Sequence, residues 1–427
     1  MAARATLVPG ARRAPRVGPG LLVSLIAGRG AFRAAMLASS VALLPLWGQD
    51  TFADYASAMG RFLFVIPLVN FGVEKTALKL VPRADATRRA LTAALLAAGG
   101  LLAVPFLLWL TVAALLGWLS QLVTVAGLLA ASLGLNQVLV ALHRALGRPR
   151  HDARNFFTLG VATAAATALV PLLGLGPVGF VTVLLAVTVT LNLVLLRGLR
   201  APWREPLRAR RVLGPFLVST MTFMGIADVS RGVSASVLFL ILGSTRFAAE
   251  TSKLYVTATA ADILLGVLEY VLRVFQPQVA LALARRGQAA RRWARRLSFS
   301  LVTAGVLWLA LAFVAARQLD HVLAGVPAAP PWTAPLVLFV ACFPLFAAKA
   351  VANFLLENLD IGSLRLAAAA SVAGTLSVAV LGLAATPRLG ALGAVAAFAA
   401  GEVANGWLVL TGLRTAGPPT GGTERAA

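Results

Sequence analysis

Residues 176–200 read GPVGFVTVLLAVTVTLNLVLLRGLR, and a related segment, GALGAVAAFAAGEVANGWLVLTGLR, follows at 390–414, 214 residues later. Both copies have glycine at their first and fourth positions and end on Gly-Leu-Arg. The mostly apolar stretch between these marks has the same 18-residue length in both copies. That length is close to the ~20 residues that a helix needs to cross the hydrocarbon core of a bilayer. The pattern therefore predicts a membrane protein built from two related halves.

The composition of the whole chain supports this interpretation. Of its 427 residues, 59% are hydrophobic and only 12% are charged, whereas about 25% are charged in an ordinary soluble domain. This composition excludes a soluble enzyme. A net charge of +23 would suggest a nucleic-acid partner in a soluble protein, but the placement of the basic residues explains it differently, and we expect no nucleic acid.

Apolar runs between polar or Gly/Pro breaks predict about twelve membrane-spanning helices. There is no strand-like alternation, so helices rather than a barrel are expected to satisfy the backbone inside the membrane. The seventh and eighth spans are the most interrupted by polar residues. The predicted limits are 20–47, 52–80, 90–116, 119–142, 155–174, 178–196, 213–242, 251–282, 298–316, 333–356, 364–385 and 391–413.

The loops divide unevenly between the two sides of the membrane. Most of the 38 basic residues fall in loops on the side of the N-terminus, and the opposite loops hold only Arg246, Lys253, Arg317 and Arg388. Because basic loops stay in the cytoplasm, both termini are predicted to be cytoplasmic. The loops are short on both sides, the longest external one being 317–332, so no extramembrane domain is expected.

The repeat and the topology together predict the domain organisation. Two six-helix halves with the same orientation imply parallel repeats about an axis along the membrane normal, the arrangement of a two-lobed transporter. The predicted units are a basic cytoplasmic arm at 1–19, an N-terminal lobe at 20–200, a cytoplasmic linker at 201–212, a C-terminal lobe at 213–413 and a cytoplasmic tail at 414–427.

Residues that would support metal or nucleotide chemistry are scarce. The single cysteine, Cys342, cannot form a disulfide framework, and His143, His151 and His321 are far apart in sequence. The sequence also contains no phosphate-binding loop of the G-x-x-x-x-G-K-[ST] form. We therefore expect no cofactor and no metal.

Arginines inside the first two predicted spans are candidate ligand-binding residues. Arg33 and Arg61 could line a cationic cavity for an anionic ligand such as a diphosphate, which the planar guanidinium meets with two hydrogen bonds. Alternatively, they could snorkel or pair with a carboxylate and serve packing alone. Arg29 is expected to snorkel to the cytoplasmic end of its span. Glu74 is expected to pair with Lys75 or with the basic loop that follows.

Charged residues in the seventh and eighth spans are expected to pair within each helix. Asp228 and Arg231 are spaced i, i+3, and Glu269 and Arg273 are spaced i, i+4, so that each pair shares a helix face. Asp262 has no local partner, which makes it a candidate proton or cation site. An ionisable residue inside a membrane is expensive and needs such a reason.

A group of polar residues near the predicted cytoplasmic end of the tenth span is interpreted as structural. Lys349, Asn353, Glu357 and Asp360 lie on or near one face of that helix. Lys349 is only about two turns inside Glu357 and is expected to snorkel.

Three short motifs accompany the layout of twelve spans and short loops. Phe71-Gly72-Val73 closes the second predicted span, and the segments FQPQVA at 275–280 and LGALGAVA at 389–396 lie at the end of the eighth and the start of the last. They resemble the F-G-[LV] ending of the second helix, the end of the eighth helix and the G-x-x-G-A-A start of the last helix in the polysaccharide flippase branch of the multidrug/oligosaccharidyl-lipid/polysaccharide exporter superfamily. The resemblance covers essentially the whole chain.

The resemblance implies a multi-pass protein of the bacterial inner membrane that moves a lipid-linked oligosaccharide from the cytoplasmic to the outer leaflet. In such flippases two lobes form a V that opens alternately to each side around a central cavity. Basic residues of helices one, two, seven and eight receive the lipid pyrophosphate and sugar. The positions that match here are Arg33, Arg61, Arg231 and Lys253.

Other functions remain open from the sequence. A cation-coupled multidrug exporter would keep the fold, and coupling would need a cavity carboxylate, for which Asp262, Asp228 and Glu269 are candidates. A membrane enzyme would need paired carboxylates, which only Asp228 with Asp262 could supply. A non-transporting scaffold is the third alternative. Expected partners are the lipid-linked saccharide, membrane lipids and other proteins of polysaccharide assembly.

Overall fold

The structure, a computed structural model, describes residues 18–83, 88–199, 210–323, 333–358 and 361–415. These residues form helices joined by short turns, and none of the described residues is in a β-strand. The predicted all-helical fold is therefore confirmed. Most of the predicted basic arm, most of the linker, the tail and Asp360 lie outside the described residues.

The helices follow the predicted spans closely in the first half and merge in the second. Two short 3-10 turns, Val81–Arg83 and Ala248–Glu250, complete the described elements. The α-helices are α1 (Pro19–Trp47), α2 (Gln49–Arg61), α3 (Val65–Asn70), α4 (Val73–Leu80), α5 (Arg88–Leu115), α6 (Gln121–Ala145), α7 (Arg150–Leu173), α8 (Pro177–Gly198), α9 (Arg210–Gly243), α10 (Thr251–Leu323), α11 (Thr333–Asn358) and α12 (Ile361–Thr415).

The second predicted span is broken into α2, α3 and α4. Phe71 and Gly72 separate α3 from α4 and both have positive φ, 31° and 72°. A side chain at Gly72 would collide with the backbone of Met221 and Gly225 on α9. Glycine is therefore required at this break, both for its backbone conformation and because α4 approaches α9 so closely.

Two long helices each contain two predicted spans. In α10, Leu272 and Leu297 pack against the same pair, Phe354 and Leu355. A straight helix would separate residues 25 apart by roughly 37 Å, so the chain turns back within α10. In α12, Gly390 leaves the helical conformation (φ 61°, ψ −138°), and the segments before and after it pack side by side, with Gly374 against Gly401.

Nine segments of the described residues are long and apolar enough to cross a membrane. The last, Ile361–Gly412, has 52 residues, enough for two spans. The eighth and ninth predicted spans, both in α10, are not among the nine. The count of twelve therefore stays a prediction.

The helices pack in two groups. In the first, α1 packs mainly on α7 and α6 on α8; in the second, α9 packs on α12 and α11 on both α10 and α12. The groups meet where α1 and α2 contact α10, and where α2, α3 and α4 contact α9. We call these groups the N-terminal half (19–198) and the C-terminal half (210–415).

Candidate functional site

A polar pocket lies mainly inside the C-terminal half. It encloses about 630 Å³ of empty space, including its open mouth, and is lined by α9, α10, α11 and α12, with Lys75 of α4 on one side. Phe354 is its one aromatic ring among the described residues. Eight charged side chains line it: Lys75, Asp228, Arg231, Glu269, Arg273, Lys349, Glu357 and Glu402.

Lys75 joins the two halves at the edge of this pocket. Its Nζ lies 2.8 Å from a carboxylate oxygen of Asp228 on α9 and 2.6 Å from one of Glu357 on α11. Lys79, one turn further along α4, donates to the backbone carbonyl of Glu357 at 2.6 Å. Two lysines of the N-terminal half are thus bound to the C-terminal half by three contacts.

The other charges of the pocket are paired within the C-terminal half. Arg231 of α9 contacts Glu269 of α10, and Arg273 lies 3.6 Å from Glu269. Lys349 of α11 contacts Glu402 of α12 at 2.5 Å. Buried charges are tolerated when they are paired in this way. Each pocket cation therefore has a carboxylate neighbour, and the eight formal charges sum to zero.

A second ionic cluster, centred on Glu74, also connects the two halves. Glu74 is buried, and its oxygens lie 2.8 Å from Arg144, 3.7 Å from Arg29 and 2.7 Å from Arg273. Arg273 belongs to α10 of the C-terminal half, whereas the other residues belong to the N-terminal half. The expectation that Glu74 pairs with Lys75 or with the following loop is therefore wrong.

Arg29 is an integral member of the Glu74 cluster. Only 6% of the residue is exposed, and its Nε donates to Asp152 at 3.1 Å. Its guanidinium lies between the rings of Phe156 and Tyr270, 4.4 and 4.3 Å from their centroids, a cation–π arrangement. The predicted snorkelling of Arg29 is wrong because these partners retain the charge inside the protein.

Three carboxamide side chains of the pocket lack hydrogen-bond partners. Gln276, Asn353 and Asn405 are 1%, 8% and 3% exposed. Both polar atoms of Gln276, and the Oδ1 atoms of Asn353 and Asn405, have no partner among the described residues. Buried polar atoms are nearly always hydrogen-bonded, so these unpartnered atoms indicate a place where a ligand or water binds.

Three of the residues predicted as functional line the pocket: Arg231, Asp228 and Glu269. Their partners differ from those expected, because Arg231 contacts Glu269 and Asp228 contacts Lys75. The pairing of Glu269 with Arg273 is confirmed. Contacts between helices therefore replace the predicted pairing of Asp228 with Arg231 inside α9.

Arg33 and Asp262 form an ion pair outside the pocket, across the two halves. The Arg33 Nε donates to Asp262 Oδ2 at 2.9 Å, and the Asp262 side chain is 63% exposed. The guanidinium lies against the backbone of Gly266, where a Cβ atom would collide with it. Asp262 was expected to have no local partner, and its partner indeed comes from α1 of the other half, 229 residues away; its carboxylate is therefore not unpaired.

Arg61 and Lys253 also lie away from the pocket. Arg61 is exposed at the end of α2 and has no carboxylate partner among the residues that the structure describes. Lys253 contacts Glu250 at 2.5 Å, and Glu250 accepts a hydrogen bond from the Ala391 backbone N–H at 2.9 Å. Lys253 thus supports the side chain that caps the second segment of α12 after Gly390.

Some pocket residues were missed or misread from the sequence. Glu402 is a carboxylate inside the last predicted span, which is a signal that could have found it, because intramembrane charges are rarely without a role. Lys349 was expected to snorkel but is buried against Glu402. Gln276 and Asn405 gave no such signal, because uncharged amides are common at helix ends and between helices.

The two halves also contact each other through aromatic rings, mainly of α2 and α10. Tyr55 of α2 and Tyr255 of α10 share a hydrogen bond at 3.3 Å between their hydroxyl groups. Phe52 and Phe239 pack edge-on against Tyr255, and Trp47 against Tyr55. We call these five residues the aromatic contact. The aromatic contact therefore joins the halves together with the ion pairs of Glu74 and Lys75 and the Arg33–Asp262 pair.

Comparison with known proteins gives fold-level matches only. No family model and no curated protein matches the chain. A MOP superfamily transporter from Pyrococcus furiosus is similar in structure, with TM-score 0.63 and 14% identity over 92% of this chain and 94% of that one. A MATE protein in its straight conformation gives TM-score 0.62 and 14% identity, over 92% and 94%. The lipid II flippase MurJ, inward closed, gives 0.58 and 11%, over 90% and 87%.

The chain therefore has the fold of the multidrug/oligosaccharidyl-lipid/polysaccharide (MOP) transporters, which is the fold that the resemblance of its motifs implies. These structural neighbours are membrane transporters and not enzymes. They include both a flippase and multidrug transporters, so the fold by itself does not select the substrate.

Proposed function

We propose that this protein is a flippase that moves a polyprenyl-diphosphate-linked oligosaccharide from the cytoplasmic to the outer leaflet of a bacterial cytoplasmic membrane. The observation that carries the proposal is the composition of the pocket, with eight charged side chains and one aromatic ring. Sites for drug-sized molecules are lined mostly by apolar and aromatic groups. A pocket this polar favours a charged, hydroxylated headgroup over an amphipathic drug.

The diphosphate is assigned to Arg33 and Arg61. Arg33 Nη1 is buried and has no partner among the described residues, although Nε is held by Asp262. A phosphate oxygen could accept a hydrogen bond from this unpartnered Nη1, because arginine binds phosphate through several N–H groups at once. Arg61 is exposed, and no carboxylate of the described residues forms an ion pair with it. Both positions belong to the N-terminal half, facing α10 and α9.

Alternating access requires the two contacts between the halves to open in turn. The Glu74 and Lys75 ion pairs would close one end, and the aromatic contact would close the other. Separating charges is assisted by water entering from the cytoplasm, whereas separating rings exposes apolar surface. The halves would rock about α2–α4 and α9, with the polyprenyl tail remaining in the bilayer.

Deleting the gene in its source organism tests the proposal. Polyprenyl-linked saccharides would be measured by mass spectrometry, and their leaflet would be probed with an impermeant lectin or hydrolase. We expect a lipid-linked oligosaccharide to accumulate on the cytoplasmic face, and the wild-type gene to reverse this. In strains complemented with Arg33→Gln, the lipid-linked oligosaccharide should remain on the cytoplasmic face. Arg388 is exposed and remote from the pocket, so complementation with Arg388→Gln should restore transport.

An unchanged lipid profile in a strain without a second protein of this fold would overturn the proposal. A strain sensitised to amphipathic cations instead would favour the multidrug exporter.

A further inference from the structure

The unpartnered carboxamides of the pocket point to the part of the substrate that the pocket recognises. Gln276 lies on α10, Asn353 on α11 and Asn405 on α12, so three different helices present carboxamides to one space. Four of their polar atoms lack a partner among the described residues. Amide groups both donate and accept hydrogen bonds, which suits hydroxyl groups, since these do the same.

The surrounding side chains extend the same chemistry. Ser234, Ser371 and Thr375 line the pocket with hydroxyl groups, and Ser234 and Thr375 already bond to each other at 2.9 Å. The charges nearby are paired, as Lys349 is with Glu402. A neutral, polyhydroxylated ligand would therefore find donors and acceptors here without having to displace an ion pair.

We propose that Gln276, Asn353 and Asn405 form a recognition site for the sugar hydroxyl groups of the carried saccharide, inside the C-terminal half and separate from the arginines assigned to the diphosphate. This inference rests on the proposed function. It divides the headgroup between the halves, with the diphosphate against the N-terminal half and the sugar in the pocket of the C-terminal half. The carboxamides would then determine whether a polyprenyl diphosphate that carries sugar is preferred over one that carries none.

The test is the lipid that co-purifies with the full-length protein from its source organism. Mass spectrometry gives the ratio of saccharide-bearing polyprenyl diphosphate to sugar-free polyprenyl diphosphate on the protein. The variants are Gln276→Leu, Asn353→Leu and Asn405→Leu, with Ser377→Ala as control, because Ser377 bonds only to its own helix and does not line the pocket. A lost neutral hydrogen bond should lower the ratio about three- to tenfold in each Leu variant.

Thermal unfolding separates recognition from structure. Leucine removes a buried polar atom that has no protein partner, so the melting temperature should stay constant or rise. If all three Leu variants keep the wild-type ratio of saccharide-bearing to sugar-free lipid, the sugar site is overturned, but the proposed flippase function is not affected. If no lipid-linked saccharide binds the wild type or accumulates in the deletion strain, the proposed function itself fails. Arg33→Gln should lower the binding of the saccharide-bearing and the sugar-free lipid equally. If this variant lost only the saccharide-bearing lipid, the division of the headgroup between the two halves would also be contradicted.

Discussion

The two halves of the molecule treat buried amides in opposite ways. In the N-terminal half, Asn136 donates to Asn155 at 3.1 Å and to Asn192 at 2.9 Å, and Asn155 donates back at 2.7 Å. In the C-terminal half, Asn353 and Asn405 retain unpartnered oxygens beside a pocket. A saturated network rigidifies a core, whereas an unsaturated one is ready to accept a ligand. The difference teaches that the buried amides of the N-terminal half serve the packing of its helices, whereas those of the C-terminal half line the pocket that we propose for the sugar.

The internal repeat brings one pair of these amides close to equivalent positions. A shift of 214 residues brings Asn192 of α8 to Gly406, next to Asn405 of α12, whereas it brings Asn136 of α6 to Ala350, three residues before Asn353 of α11. Asn136 and Asn192 are hydrogen-bonded to each other, and the oxygens of Asn353 and Asn405 have no partner among the described residues.

The largest expected effect comes from removing the charge that joins the halves. Glu74→Leu leaves Arg29, Arg144 and Arg273 without their shared carboxylate, and breaking a buried ion pair costs about 3–5 kcal/mol. We expect a strongly lowered unfolding temperature in detergent, measured by thermal denaturation, whereas Arg388→Gln should unfold like the wild type. Equal stability of Glu74→Leu would show that the Glu74 cluster does not stabilise the protein.

A slightly smaller loss is expected inside the pocket. Lys349→Met leaves Glu402 buried and unpaired, again at about 3–5 kcal/mol, partly relieved because water can enter the pocket. The double variant Lys349→Met, Glu402→Leu should regain wild-type stability, since an apolar pair of similar volume often replaces a buried ion pair at no loss. Transport should not return with stability. Normal transport by the double variant would show that the Lys349–Glu402 ion pair is not required for transport.

Substituting one buried asparagine in each half tests the comparison directly. Asn136→Leu leaves the oxygens of Asn155 and Asn192 without a donor, and we expect it to destabilise the protein by about 1–3 kcal/mol. Asn405→Leu removes an oxygen that has no partner, so its unfolding temperature should not fall. The comparison breaks if both variants lose equal stability, which would mean that Asn405 is as structural as Asn136.

The smallest expected change in stability is at Gly266. A methyl group there must displace the Arg33 guanidinium, the end of a flexible side chain, so Gly266→Ala should destabilise the protein by about 1 kcal/mol, at the low end for an overpacked site. Transport should fall severalfold in a vesicle assay, because Arg33 is moved from Asp262. Gly100→Ala is the matched control, since a Cβ atom there meets nothing within 4 Å.

Whether an ion pair was predicted correctly depends on how far apart its two residues lie in the sequence. Glu269 and Arg273 were paired correctly from the sequence because they are one helical turn apart. The ion-pair partners of Arg29, Arg33, Lys349 and Glu74 lie 45 to 229 residues away. Hydropathy cannot identify such partners, and a charge without a visible partner was assigned to the membrane surface or to the ligand.

The sequence by itself determined the all-helical fold, with segments long and apolar enough to cross a membrane, because this depends on apolar length and on local patterns of residues that lie close together along the chain. Only the tertiary structure decided which charges neutralise one another, and that a pocket opens among α9–α12 with Gln276, Asn353 and Asn405 unpartnered. The physical reason is that a side chain inside a membrane protein is defined by what faces it from another helix, and the packing of distant helices sets that.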